Sequence, residues 1–171
     1  MKESRFFLTY AMVVLVQILI CNYLNLSLFV ALSLLPVIVL FIPIRYSTSL
    51  ALFVAFISGL AVDYFAEGLV GLNALALLPV AFCRKSIINL VFGDEIFARK
   101  EDISINQHGV LKVSIAIIIA QSLFMLIYIW ADGAATRPFW FNLTRFLMSV
   151  IIGWLLSLFV SEALVQDRRE R

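Results

Sequence analysis

The stretch GLAVDYFAEGLVGLNALALLPVAF, Gly59–Phe82, sets two acids, Asp63 and Glu67, between two long apolar runs. A carboxylate near lipid is expensive and needs a reason. Each run is long enough to be an element of its own, and Gly68 and Gly71 permit a tight turn between them. In lipid the backbone groups must be satisfied within the element. The stretch therefore reads as two membrane helices joined by a short acidic hairpin.

The rest of the chain extends this reading. Of 171 residues, 63% are hydrophobic and 14% charged, and the mean hydropathy is +1.04. Soluble domains are about half apolar and about a quarter charged. One integral-membrane domain, residues 1–171, is expected, all-α and polytopic. Its six apolar segments cover residues 6–21, 28–42, 50–62, 69–83, 110–131 and 139–165. Alternating polar and apolar strand patterns are absent, which argues against a membrane barrel. The first segment ends in QILIC, Gln17–Cys21. Bulky Ile20 before the cysteine and the lack of a small-residue cleavage site make it a retained span.

Basic residues orient the spans. With the N-terminus in the cytoplasm, only Arg137 and Arg145 of the 13 lysines and arginines fall outside. Cytoplasmic loops carry the excess of Lys and Arg, so both termini are expected there. Trp130 and Trp140 then flank the last outer loop, where interfacial aromatics belong. Cys21 and Cys83 fall at opposite faces and cannot pair. The basic residues flank spans and form no separate face, which gives nucleic-acid binding no support. Residues 84–109 form the longest stretch between spans. Its apolar part SIINLVF, Ser86–Phe92, reads as interfacial and the remainder as a solvated loop, with docking of a cytoplasmic partner as the sharper reading.

Lengths place the hairpin. Arg45 and Arg84 are expected to anchor at the inner face, with 38 residues between them. After the turn, each arm has about 16 residues, or about 24 Å. The hydrocarbon core is about 30 Å thick, so Asp63 and Glu67 should sit low, near the outer headgroups. Ala51, Ala55, Gly59 and Asp63 recur every four residues, a small-residue stripe that admits a close neighbour. The sixth segment carries Arg145, Ser149, Gly153, Ser157 and Ser161 at the same interval. These stripes are expected to pack together, pairing Asp63 with Arg145. Asn73 is expected to hydrogen-bond between helices.

Catalytic constellations are missing. His108 is the single histidine and lies in the cytoplasmic loop, so no metal centre or serine–histidine pair can form at membrane depth. Asp63 and Asp132 both lie at the outer face, away from mid-span. No phosphate loop occurs. No enzyme activity, metal or cofactor is expected. A transport role draws on intramembrane acids and broken helices, but polar residues are few.

Gly59, Leu60 and Asp63, then Gly68, then Gly71, Leu72, Asn73, Ala74 and Leu75, resemble the signature of the MreD family, the rod shape-determining membrane proteins of bacteria. The match covers 24 residues, with Val70 where the family often has proline. Size, six spans and a short basic tail agree along the rest. The resemblance implies a non-enzymatic scaffold of the cell-elongation machinery in the bacterial inner membrane. It implies binding to the transmembrane helix of MreC and, through it, links to a RodA-type glycosyltransferase, a penicillin-binding transpeptidase and MreB. It further implies a fold similar to the six-helix substrate-binding subunits of energy-coupling-factor vitamin transporters. Small-ligand binding is therefore the alternative function.

Overall fold

The structure is a computed structural model that describes residues 2–23, 30–67, 70–99, 102–103, 105–133 and 137–169. Among these, every regular element is helical. The order is α1 (Lys2–Tyr23), α2 (Leu35–Leu40), α3 (Thr48–Val62), a π-helical turn (Asp63–Glu67), α4 (Leu72–Phe92), α5 (Glu95–Arg99), α6 (Ile105–His108), α7 (Val110–Gly133) and α8 (Phe139–Arg169). Four helical stretches are long and apolar enough to cross a membrane: Thr48–Ala66, Leu72–Phe92, Val110–Gly133 and Phe139–Ser161. A shorter apolar one is Leu8–Tyr23.

Local chemistry explains several boundaries. The Ser47 hydroxyl accepts the Leu50 N–H at 3.3 Å and starts α3. Pro36 occupies the first turn of α2, where its missing N–H is tolerated. Gly93, at φ +83°, ends α4 in a conformation that a side chain would strain.

Helix α4 is the centre of the bundle. It packs against α3 on one side and α7 on the other, and α7 packs in turn against α8. Short α2 lies among α4, α7, α3 and α1, and all six of its residues are buried. Helix α1 is fastened by the Tyr10 hydroxyl to Ser58 of α3 at 3.0 Å. Near its C-terminus, Asn22 Nδ2 donates to the Phe65 carbonyl at 3.2 Å. That contact puts the end of α1 beside the turn that closes α3. The chain must then travel back along the bundle to begin α3 at Thr48.

The return is where the fold departs from expectation. A continuous helix over residues 28–42 does not form. Residues 24–29 lie outside the described part, residues 30–34 carry no helix, and only Leu35–Leu40 are helical. The third and fourth segments also run further than expected. α4 continues through Arg84 to Phe92, so the apolar Ser86–Phe92 is the last part of one continuous helix.

The two small-residue stripes are both buried, but not against each other. Ala51, Ala55 and Gly59 are buried, with Gly59 against Ala74 of α4, and Ser149, Gly153, Ser157 and Ser161 are buried, with Gly153 against Gln121 of α7. The physical reason is hairpin connectivity. α3 and α4 are adjacent in sequence and antiparallel, as are α7 and α8. Each stripe is used within its own hairpin. At Gly59 an added Cβ would stand 2.5 Å from Ala74 Cα.

The segment between α4 and α7 is folded onto the bundle. Ile96 and Ile103 are buried in the main core. Asp102 Oδ1 accepts the Ile44 N–H at 3.0 Å, and the His108 ring meets Phe92 edge-on at 5.1 Å. This segment caps the chain's own core where a solvated loop was expected.

Gly59→Ala should force α3 away from the α4 backbone, because Ala74 Cα cannot yield as a flexible side chain would. Overpacking of this kind costs about 1–3 kcal/mol. Thermal unfolding in detergent, followed by loss of the monodisperse peak in size exclusion, should show a lower midpoint for Gly59→Ala than for the parent protein.

Candidate functional site

Residues 30–34 are non-helical and half-buried to buried. The Leu34 carbonyl accepts the Ile38 N–H of α2 at 3.3 Å, but the peptide groups before it have no helical partners among the described residues. Side chains from three helices take those places. From α1, Gln17 Nε2 donates to the Leu32 carbonyl at 2.9 Å and Gln17 Oε1 accepts the Leu34 N–H at 2.8 Å. A primary amide presents one donor and one acceptor side by side. Gln17 therefore pairs with this backbone much as a neighbouring strand would. From α7, Gln121 Nε2 donates to the Ser33 carbonyl at 3.1 Å. From α8, Ser149 Oγ accepts the Ala31 N–H at 2.9 Å. Gln17, Gln121 and Ser149 are each nearly or wholly inaccessible. Non-helical backbone at membrane depth is tolerated only where protein or a water-filled cavity surrounds it.

Below this belt, Arg84 completes the return. Its side chain is 1% exposed. Arg84 Nε donates to the Leu40 carbonyl at 3.2 Å, and its terminal Nη2 donates to the Ile42 carbonyl. These carbonyls stand at and just beyond the C-terminus of α2, where cations are favoured. Arg84 was expected to anchor at the inner membrane face. It lies inside because α2 ends there in buried carbonyls that need a donor.

Above the belt sits Asp63, which is fully buried. Its Oδ2 accepts the Gly71 N–H at 2.9 Å and the Ala74 N–H at 3.3 Å. Its Oδ1 accepts the Asn73 N–H and Asn73 Nδ2, both at 2.9 Å. Gly71 is the N-cap of α4, adopts φ +104° and has no side chain to cap with. Asp63 supplies the missing cap from the preceding helix, and the α4 dipole favours its charge.

The expected Asp63–Arg145 pair is thus replaced. Both Asp63 oxygens are engaged by α4. Arg145 binds Asp132 Oδ2 at 2.5 Å, and Arg137 binds the same oxygen at 2.9 Å. Asp132 lies in the last turn of α7 and Arg145 in the second turn of α8, so this ion cluster closes the α7–α8 hairpin. The physical reason is proximity along the chain. Each carboxylate finds its partner across its own turn.

Of the signature residues, Gly59, Asp63, Gly71, Asn73 and Ala74 converge in one contact cluster. Leu60 and Leu72 are half-buried, and Leu75 is exposed. Gly68 and the Glu67 side chain lie outside the described residues. Gln17, Gln121 and Ser149 carry the belt, and no role was assigned to the glutamines from sequence. Their signal was the amide itself, placed inside two apolar helices. Among the described residues, no group of three or more His, Cys, Asp or Glu side chains could hold a metal ion.

No family model, curated protein or solved structure matches the chain.

Two measurements test this arrangement. Asp63→Ala leaves four donors without their acceptor and should lower stability by about 3 kcal/mol, with Asp63→Asn losing less because one acceptor oxygen remains. In double-mutant cycles on unfolding free energy, Asp132 and Arg145 should couple, whereas Asp63 and Arg145 should add independently.

Proposed function

We propose that this protein is a non-enzymatic membrane scaffold of the bacterial cell-elongation machinery. In this reading it crosses the inner membrane six times with both termini in the cytoplasm. The second crossing is made by the unwound segment, α2 and the turns up to Thr48. The scaffold receives the transmembrane helix of MreC and, through that partner, connects to a RodA-type glycosyltransferase, a penicillin-binding transpeptidase and MreB. Lateral wall synthesis and rod shape depend on it.

The observation that carries the reading is the use made of the signature residues. Gly59, Asp63, Gly71, Asn73 and Ala74 together lock two helices into one rigid hairpin. Asp63 has no free oxygen with which to act on a substrate, and Arg84 is likewise engaged with backbone. Buried charge that organises helix ends suits a frame on which a partner helix packs. The apolar outer faces of α1 and α8 supply surface for such packing. On α1, Leu8, Met12, Leu15 and Leu19 are exposed, and on α8 Leu147, Ile151, Leu155 and Phe159.

A second reading, a small-ligand-binding subunit of a vitamin-type transporter, is favoured by the unwound segment. Discontinuous helices near the bilayer midplane commonly build substrate sites. Residues 30–34 form such a discontinuity.

The two readings separate experimentally. Depletion should turn rod-shaped cells round, and the full-length protein should recover MreC in detergent only when the MreC transmembrane helix is present. Equal recovery after deletion of that helix would sink the scaffold reading. Unchanged cell shape together with a nutrient requirement and a ligand-dependent thermal shift would support transport.

A further inference from the structure

Near the α7–α8 turn, a pocket of about 160 Å³ lies between the two helices. Leu126, Ile129 and Trp130 of α7 and Phe139, Leu143 and Phe146 of α8 form its walls. Asn142 is the one polar residue that lines it, and the Asn142 amide lies against Gly133 of α7. Trp130 and Phe139 are exposed, so the pocket opens on the outside of the bundle.

The walls select the occupant. An apolar cavity of about 150 Å³ stays dry and accepts apolar guests. Left empty, it deprives its lining of dispersion contacts on one side. Both helices are long and apolar enough to cross a membrane. At that depth the apolar molecule at hand is the acyl chain of a lipid. The pocket alone offers such a chain little, because lipid tails are already as apolar as leucine. Preference for one lipid over another must come from its headgroup.

The neighbouring ion cluster supplies that preference. Arg137 and Arg145 both bind Asp132 Oδ2, so two cations share one carboxylate and one positive charge is left in excess. Asp132 lies three residues beyond Ile129 toward the end of α7, and Arg137 precedes α8. The cluster thus stands toward the helix ends, and the pocket runs inward from that level. The Arg137 side chain is 34% exposed and open to a further anion. Exposed Trp130 and Trp140 suit the level of the membrane interface. Charge at the interface with an apolar slot beneath it matches the headgroup and chain of a phospholipid. Basic pockets between membrane helices bind anionic headgroups.

We propose that the α7–α8 hairpin binds one anionic phospholipid from the leaflet at its turn. The acyl chain occupies the pocket between Trp130 and Leu143, and the phosphate meets Arg137 and the excess charge of the cluster.

The probe is phosphatidylglycerol brominated on its acyl chains, because bromine quenches nearby tryptophan. In a titration of the full-length protein in detergent, tryptophan emission should fall and saturate with a single lipid per protein. Brominated phosphatidylcholine should need about fivefold more lipid for the same quenching. Trp130→Phe should remove more of the saturable quenching than Trp140→Phe, since Trp130 lines the pocket and Trp140 does not. Arg137→Gln leaves one cation on the carboxylate and should bring the two lipids' titrations together. Quenching that never saturates, or is equal for the two lipids, reports only the ordinary lipid shell and overturns the proposal. So does a preference for phosphatidylglycerol that survives Arg137→Gln, or a larger loss with Trp140→Phe. Native mass spectrometry of the same sample should show a monomer carrying one phosphatidylglycerol. A lipid-free dimer overturns the proposal and assigns the pocket to a second copy of the chain.

Discussion

A peptide group without a hydrogen-bond partner costs several kcal/mol in hydrocarbon. This chain nonetheless carries a non-helical stretch, residues 30–34, through the inside of an apolar bundle. The rest of the structure is arranged around that demand. Gln17, Gln121 and Ser149 come from three different helices, α1, α7 and α8, and each binds a different backbone atom or pair of atoms of the stretch. Apolar packing alone is weakly specific between helices in lipid, where the tails are as apolar as leucine. The polar contacts supply the directional part and tie both edges of the bundle to its middle.

The two buried charges follow the same logic at helix ends. Asp63 offers acceptors to the first N–H groups of α4, and Arg84 offers donors to the carbonyls that finish α2. A carboxylate at an N-terminus and a guanidinium at a C-terminus each complement the local dipole. Their desolvation is offset because each meets several groups of opposite polarity. Neither is left in a cavity where it could bind or transform a substrate. Rigidity of this type fits a protein whose role is to present fixed helix faces to a partner, as the proposed scaffold does.

Much of the architecture was legible beforehand. Apolar run lengths gave the α3, α4, α7 and α8 helices, and the acidic stretch around Asp63 was recognisable as a hairpin. Asn73 was expected to bond between helices, and its side chain meets Asp63. The break at residues 30–34 was harder to see. An apolar run such as ALSLLPVIVL, Ala31–Leu40, has the same hydropathy whether its backbone bonds to itself or to glutamines elsewhere. Pro36 was visible, yet a proline is tolerated in the first turn of a helix and does not say where that helix begins. The Asp63–Arg145 pairing failed for a related reason. Matching stripes show which residues are small, not which helix will lie beside them.

By itself, the sequence determined the helical class, the places of the four long apolar helices, and the acidic hairpin around Asp63. Those properties depend on composition and local periodicity, which are read along the chain. Partners were decided only by the tertiary structure: Asp63 with the start of α4, Arg145 with Asp132, Arg84 with the end of α2, and two glutamines with an unwound return. A buried polar group must find its complement wherever folding brings one within about 3 Å. That proximity is a property of the packed bundle and is not written at any single position of the chain.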